Sequence, residues 1–240
     1  RMFLAAVLTA AGLVIIPNPM SPARVALAAD AMTEATTYTT NIGTSLGSTA
    51  RATAVQSDGK ILVGGSFTGF LRRFDADGTT DSAFNTNAST SVTNEVTGVG
   101  VQSDGEIIVV GGTVSVSGFV KRLNSDGTLD AAFNTNVGST FNTQLVRAIE
   151  IQSDGRIVVG GDFSGRLKRL TTTGTLDSTF NTNIGTNLNG AVHAISIQRG
   201  GTDIVVTGAF SGYLKRFLTT GLPNTGFNTN VGSALDGIGY

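Results

Sequence analysis

The residues best suited to chemistry recur as a set. A basic pair, Arg72-Arg73, Lys121-Arg122, Lys168-Arg169 or Lys215-Arg216, is followed eight residues after its second member by Asp81, Asp130, Asp177 or, in the last case, Asn224. Guanidinium and carboxylate fit each other through two parallel hydrogen bonds, so one reading is a repeated Arg–Asp pair. The other is a ring formed by Arg73, Arg122, Arg169 and Arg216 that binds an anion on a shared axis. In a strand, the two members of each basic pair face opposite sides. The first can reach water. The second shares a face with Leu71, Val120, Leu167 or Leu214, where a charge must find a partner. The pair is therefore the expectation, weakened where the acid becomes Asn224.

Other candidates are thinner. Asp75-Ala76-Asp77-Gly78 with Asp81 resembles part of a calcium loop, which needs several oxygen ligands at alternating positions. The equivalent stretches, Asn124-Ser125-Asp126-Gly127 and Thr171-Thr172-Thr173-Gly174, keep the glycine and not the acids, as a turn would. His193 is the only histidine. It has no second histidine to share a metal and no identifiable triad partners, so packing within a strand is expected. Phe84, Phe133, Phe180 and Phe227 recur as core anchors rather than as a stacking platform, which would accompany a basic groove. There is no cysteine, hence no disulfide framework and no thiolate chemistry. No catalytic, cofactor-binding or metal-ligating residue is assigned, and no cofactor is expected.

The elements that must hold these residues come from one unit repeated four times, at Val55 to Asn87, Val101 to Asn136, Ile151 to Asn183 and Ile197 to Asn230. The opening Gln56, Gln102, Gln152 and Gln198 recur at a period that marks stacked supersecondary units. Within the third copy, Ser153-Asp154-Gly155 separates two apolar, β-branched runs, a strong hairpin signal. Ser164-Gly165 and Thr173-Gly174 give two further turns. The stretch from Leu176 to Asn183 is expected to form a last strand or an ordered loop, for three or four antiparallel strands per unit. Gly64-Gly65, Gly111-Gly112 and Gly160-Gly161 fall inside the second strand, where glycine marks a close approach; the fourth copy has Thr207-Gly208. Packing of neighbouring units is the expected reason. The polar stretches Asn87 to Glu95 and Asn136 to Gln144 read as connections between units, where binding could evolve.

The segments VQSDGKILVGGSF from Val55, RLNSDGTLDAAF from Arg122 and RLTTTGTLDSTF from Arg169 resemble the delta-sixty repeat, a bacterial β-propeller repeat. The resemblance covers about Tyr38 to Asn230. It implies an all-β propeller on secreted or surface-exposed bacterial proteins and brings no assigned activity. The fourth copy departs from the pattern at Gln198 to Thr202 and at Pro223-Asn224.

Before the repeats lies different material. Met2 to Ile16 is an apolar run ended by Pro17, Pro19 and Pro22, and Ala26-Leu27-Ala28 offers small residues for cleavage. This pattern is expected of a secretory signal peptide over 1–28, with an N-terminal hydrophobic helix, and is short for a membrane span. A linker at 29–37 and a repeat domain at 38–240 follow. The units fall at about 38–49 (partial), 50–95, 96–144, 145–190 and 191–240. Tyr38 to Gly43 matches the tail Phe180 to Gly185, and Gly237 to Tyr240 matches a lead-in, so a further unit beyond Tyr240 is expected. A net charge of −1 gives no electrostatic case for nucleic acid, and no stable membrane insertion is expected once the leader is cleaved. The expected role is an exported, non-catalytic scaffold or binding module for an unknown protein or glycan. A propeller-fold carbohydrate-active lyase or hydrolase and a fibre-forming adhesin array are the alternatives.

Overall fold

The computed structural model describes residues 5–9, 12–16, 46–113, 116–142, 144–198 and 203–232. In the leader, β1 (Ala5–Thr9) and β2 (Gly12–Ile16) pair antiparallel. The hydrophobic signal helix expected there is not confirmed. The rest of the leader, the Tyr38 tail and the lead-in before Tyr240 lie outside the described residues, as does most of the divergent turn at Gln198 to Thr202.

The repeats fold as four three-stranded antiparallel sheets. The first blade holds β3 (Ala50–Val55), β4 (Ile61–Gly65) and β5 (Leu71–Phe74). The second holds β6 (Val96–Val101), β7 (Ile107–Thr113) and β8 (Val116–Leu123). The third holds β9 (Val146–Ile151), β10 (Ile157–Gly161) and β11 (Leu167–Leu170), and the fourth β12 (Val192–Ile197), β13 (Asp203–Gly208) and β14 (Leu214–Leu218). The Asp-Gly turns close the first hairpins as expected, with Gly59, Gly105 and Gly155 at positive φ. Thr113 pairs with Val116, so the longer hairpin of the second blade extends its strands.

Among the described residues no blade forms a fourth strand. Each blade ends instead in a short helix: α1 (Ser82–Ser91), α2 (Ala131–Val137), α3 (Ser178–Ile184) and α4 (Thr225–Val231). Asn and Thr are poor helix formers, and the helices depend on their ends. Asp81, Asp130, Asp177 and Asn224 each accept the backbone N–H three residues on, at 3.1 Å. The first asparagine of each Phe-Asn-Thr-Asn run then bonds the backbone of the strand-three arginine in both directions. Asn181 Oδ1 accepts from Arg169 N (2.8 Å) and Asn181 Nδ2 donates to Arg169 O (3.1 Å). The side-chain amide thus supplies the ladder contact that a fourth strand would have made.

The apolar core lies between blades rather than within them. Leu62, Leu71 and Phe84 of the first blade pack against Val96, Ile107 and Val109 of the second. Val158, Leu167 and Phe180 of the third meet Val192, Ile204 and Phe217 of the fourth. The first strands of successive blades contact one another in chain order and form the inner lining. Val55, the first-blade equivalent of the inward-packed Val101, Ile151 and Ile197, is 68% exposed. Among the described residues, no helix is long and apolar enough to cross a membrane.

Candidate functional site

The repeated arginines hold blades together. Arg169 is 6% exposed; its Nε donates to Asp177 Oδ2 at 3.0 Å, and its Nη2 lies 2.8 Å from the same oxygen. Nη1 donates to Gln152 Oε1 (3.1 Å), which explains the recurrent opening glutamine, and to Thr219 O of the next blade (2.6 Å). The guanidinium also stacks on Phe180, 4.2 Å from its centroid. Arg73 reaches Asp81, Gln56 and Ser125 O in the same way, and Arg122 reaches Asp130, Gln102 and Thr172 O. The second asparagine adds another tie: Asn87, Asn136 and Asn183 donate to Asp126 O, Thr173 O and Thr220 O. The expected pairs form, with one correction to their geometry. Both arginine nitrogens share Oδ2, because Oδ1 is committed to the helix cap. These arginines sit on third strands, away from the inner lining, and make no axial ring.

In the fourth blade the acid has moved. Arg216 Nε lies 3.3 Å from Asp203 Oδ2, an ion pair without hydrogen-bond alignment. Asn224 keeps the cap and donates to Asp203 at 3.3 Å. Asp203 occupies the place of Lys60, Glu106 and Arg156 in the other blades.

The first members of the basic pairs are less free than expected. Burial pushes the Lys121, Lys168 and Lys215 ammonium groups down from their usual range. Lys121 and Lys215 donate to Ser91 O and Asn187 O of the preceding blade at 2.7 and 2.6 Å. At the calcium-like turn, Asp77 Oδ1 accepts from Thr79 N and Oγ1, while Asp75 bonds Lys60. No cluster of metal-holding side chains occurs among the described residues.

A different set converges on one mouth of the inner lining. Each first strand carries a bulge at the same register. The extra residue is Arg51, Thr97, Arg147 or His193, and a bulge re-aims the side chain it carries. All four line a cavity of about 470 Å³ together with Glu95 and Thr113. Arg51 is ion-paired with Glu95, at the end of the loop that leads into the next blade. Arg147 Nε and Nη2 donate to Asp162 Oδ1 and Oδ2 at 3.0 and 2.8 Å, a two-pronged pair. Thr97 Oγ1 donates to Val146 O at 2.6 Å, tying its bulge to the next blade.

The bulge also revises the glycine reading. The glycine kept in all blades is Gly65, Gly111, Gly161 and Gly208, so Gly112 is not part of the equivalent pair. A Cβ on any of the four would collide with the carbonyl just before the bulge: Thr49 O, Glu95 O, Leu145 O or Ala191 O. Of the second-strand glycines, Gly64 and Gly160 are the ones that serve blade-to-blade packing, against Val96 and Val192. The connecting loops are less polar than expected: Phe141 is buried edge-on to Phe163, with ring centroids 5.0 Å apart. Their ends deliver Glu95 and Leu145 to the mouth. His193, expected to be packing, lines the same cavity. Arg51, Glu95, Arg147 and Asp162 were not anticipated as site residues.

Residues 56–84, 102–133 and 152–180 match the family described as a domain of unknown function (DUF5122) beta-propeller. The chain is built of β-propeller repeats. No curated protein sequence matches it. Among solved structures it is similar to the WD40 β-propeller domain of Doa1, at 16% identity and a TM-score of 0.50, over 70% of this chain and 50% of that one. It is also similar to selenomethionine-substituted virginiamycin B lyase from Staphylococcus aureus, at 16% identity and a TM-score of 0.48, over 74% and 55%. The propeller repeats here thus span about half the length of the solved propellers they match.

Proposed function

We propose that this chain is an exported, non-catalytic binding module of the bacterial surface or exterior, built from delta-sixty-type repeats, and that it engages a protein or glycan at the bulge mouth. One contrast carries the reading. The polar side chains that recur across the blades are spent on the frame: Arg169 binds Asp177 and Gln152 of its own blade and Thr219 O of the next, and Asn183 donates to Thr220 O of the next. The side chains that are not held constant across the blades, Arg51 and Arg147 in two of them and Thr97 and His193 in the others, occupy one geometric position and line one cavity. A scaffold held constant beneath variable residues is how repeat folds and loop-bearing sheets acquire binding sites.

The enzymatic alternative is less well supported. Glycoside cleavage by paired carboxylates needs two acids placed on either side of a bond. The two acids at or beside the mouth, Glu95 and Asp162, are each ion-paired with an arginine. Export rests on the leader pattern at 1–28 and is tested by N-terminal sequencing of protein recovered outside producing cells. Binding is tested by presenting the full chain to glycan and surface-protein arrays beside an Arg51→Gln, His193→Gln variant. The expected result is ligand capture by the parent and its loss in the variant. Capture unchanged in the variant, or none by the parent, would refute the reading.

A further inference from the structure

The geometry points to a site for a small organic carboxylate at the bulge mouth, with Arg51 and Arg147 as its principal donors. This deepens the binding-module reading and rests on it. Four observations converge.

The first is the device itself. The fold keeps the bulge and its facing glycine in all four blades yet displays there arginine in two blades, threonine in one and histidine in one. An irregularity needed only for packing would not be expected to display charged or polar side chains in every blade. The second is the state of the two guanidiniums. Asp162 grips Arg147 along its Nε–Nη2 edge, and Glu95 takes Nε of Arg51. Each head is thereby oriented while retaining Nη1 as a donor to offer, with 35% and 48% of the respective side chains exposed.

The third is the balance of donors and acceptors. The acids at the mouth are occupied by the arginines, and Thr97 is spent on Val146 O. The mouth therefore offers donors in excess. A neutral sugar asks for acceptors as well as donors, and commonly for an aromatic ring to stack on. His193 supplies the only ring among the described lining residues. A carboxylate asks only for donors, and arginine presents them in matching planar geometry. The fourth is size. A cavity of about 470 Å³ is in the range of small-molecule sites and suits a hexuronate or a small carboxylic acid.

The test is calorimetric titration of the full chain with D-glucuronate and, in parallel, D-glucose, which is similar in size and lacks the carboxylate. Saturable glucuronate binding is expected, with glucose at least about tenfold weaker, as loss of a charge-assisted contact implies. Two variants follow: Arg51→Gln, at a solvent-accessible head, and Arg147→Gln with Asp162→Asn, which removes the pair without stranding a charge. Each should weaken glucuronate about tenfold or more with an unchanged urea midpoint. Equal binding of the two sugars, no saturable glucuronate binding, or full-strength binding by both variants overturns the assignment. The two readings fail separately. Array ligands that are neutral and lost in the bulge variant would overturn the carboxylate class and leave the binding module standing; a blank array with blank titrations would remove both.

Discussion

Asp177 serves two masters with one carboxylate: Oδ2 takes Arg169 at 2.8 Å and Oδ1 takes the N–H of Phe180 at 3.1 Å. The joint between strand three and the helix, and the joint between that blade and the next, therefore share an atom group. Replacing Asp177 by Ala removes the cap and strands a buried guanidinium, at a cost of about 3 kcal/mol or more. Asp177→Asn keeps the cap and should cost about half as much. The fourth blade shows the remedy, with the acid placed at Asp203. Adding Arg156→Asp to Asp177→Asn should recover part of the loss. Urea denaturation of the three variants measures this, and a double variant weaker than Asp177→Asn alone would contradict it.

The same carboxylates set an acid limit. Burial opposes the charge on Asp81, Asp130 and Asp177, yet the helix N–H groups and the arginines outweigh it and hold all three below their usual range. A folded-state pKa below the unfolded one contributes stability above about pH 4 that is lost as pH falls through the folded value. The urea midpoint should accordingly drop on acidification below pH 4, and less so in a variant already lacking one of the three acids.

Glu150 works in the opposite sense. It stands on the first strand of its blade where the others place Ala54, Gly100 and Ser196, and burial pushes its carboxyl up. A raised carboxyl pKa means that the folded state holds a proton the unfolded state releases, so stability falls as pH rises through the usual range of glutamate. Glu150→Gln should be more stable than the parent at pH 7, and the difference should close near pH 4. A difference that persists unchanged at low pH would assign the effect to packing.

Much of this architecture was legible in residue spacing. The eight-residue interval predicts the Arg73–Asp81 pair, and the Asp-Gly turns predict the first hairpins. The helices were not legible because a strand reading looks for apolar residues. Ser178–Ile184 is helical through its cap and through Asn181 clasping Arg169, which propensity does not report. The Asp-x-x-Phe spacing was the available cue. The mouth was hidden for a different reason. Comparing repeats selects what stays the same, and Arg51, Thr97, Arg147 and His193 share a position but not, beyond the two arginines, a residue type. Their common offset, five residues before each opening glutamine, and the glycine kept opposite them in every blade were the traces of the bulge in the sequence.

The bulge predicts a sharp contrast between glycines. Gly161→Ala would drive a methyl group into Leu145 O, so the bulge must shift, at a cost of about 2–3 kcal/mol. Gly226 sits exposed in the first turn of α4 with ordinary φ, and a Cβ there would meet Asn224 Oδ1 only at an ordinary contact distance of 3.9 Å. Gly226→Ala should instead stabilise by about 0.5 kcal/mol through helix propensity. Thermal melts of the two variants compare them directly; equal effects would mean that the bulge is not the constraint on Gly161.

Glu106 is the weak point of the second blade. It occupies the position of Lys60 and Arg156, and its Oε2 is buried without a hydrogen-bond partner. Burial pushes its carboxyl up; Asp104, Asp130 and Asp126 add to this, against the opposing pull of Arg122. In the first blade Lys60 reaches Asp81 at 3.4 Å and also bonds Asp75. Glu106→Gln removes the repelled charge, and Glu106→Lys should in addition reach Asp130 as Lys60 reaches Asp81. Both should raise the urea midpoint at pH 7, Lys more than Gln. Because the parent's Glu106 becomes neutral as pH falls below its raised pKa, the advantage of Glu106→Gln should shrink toward pH 4. A Lys variant no more stable than Gln would mean that Asp130 is already satisfied by Arg122 and the helix cap.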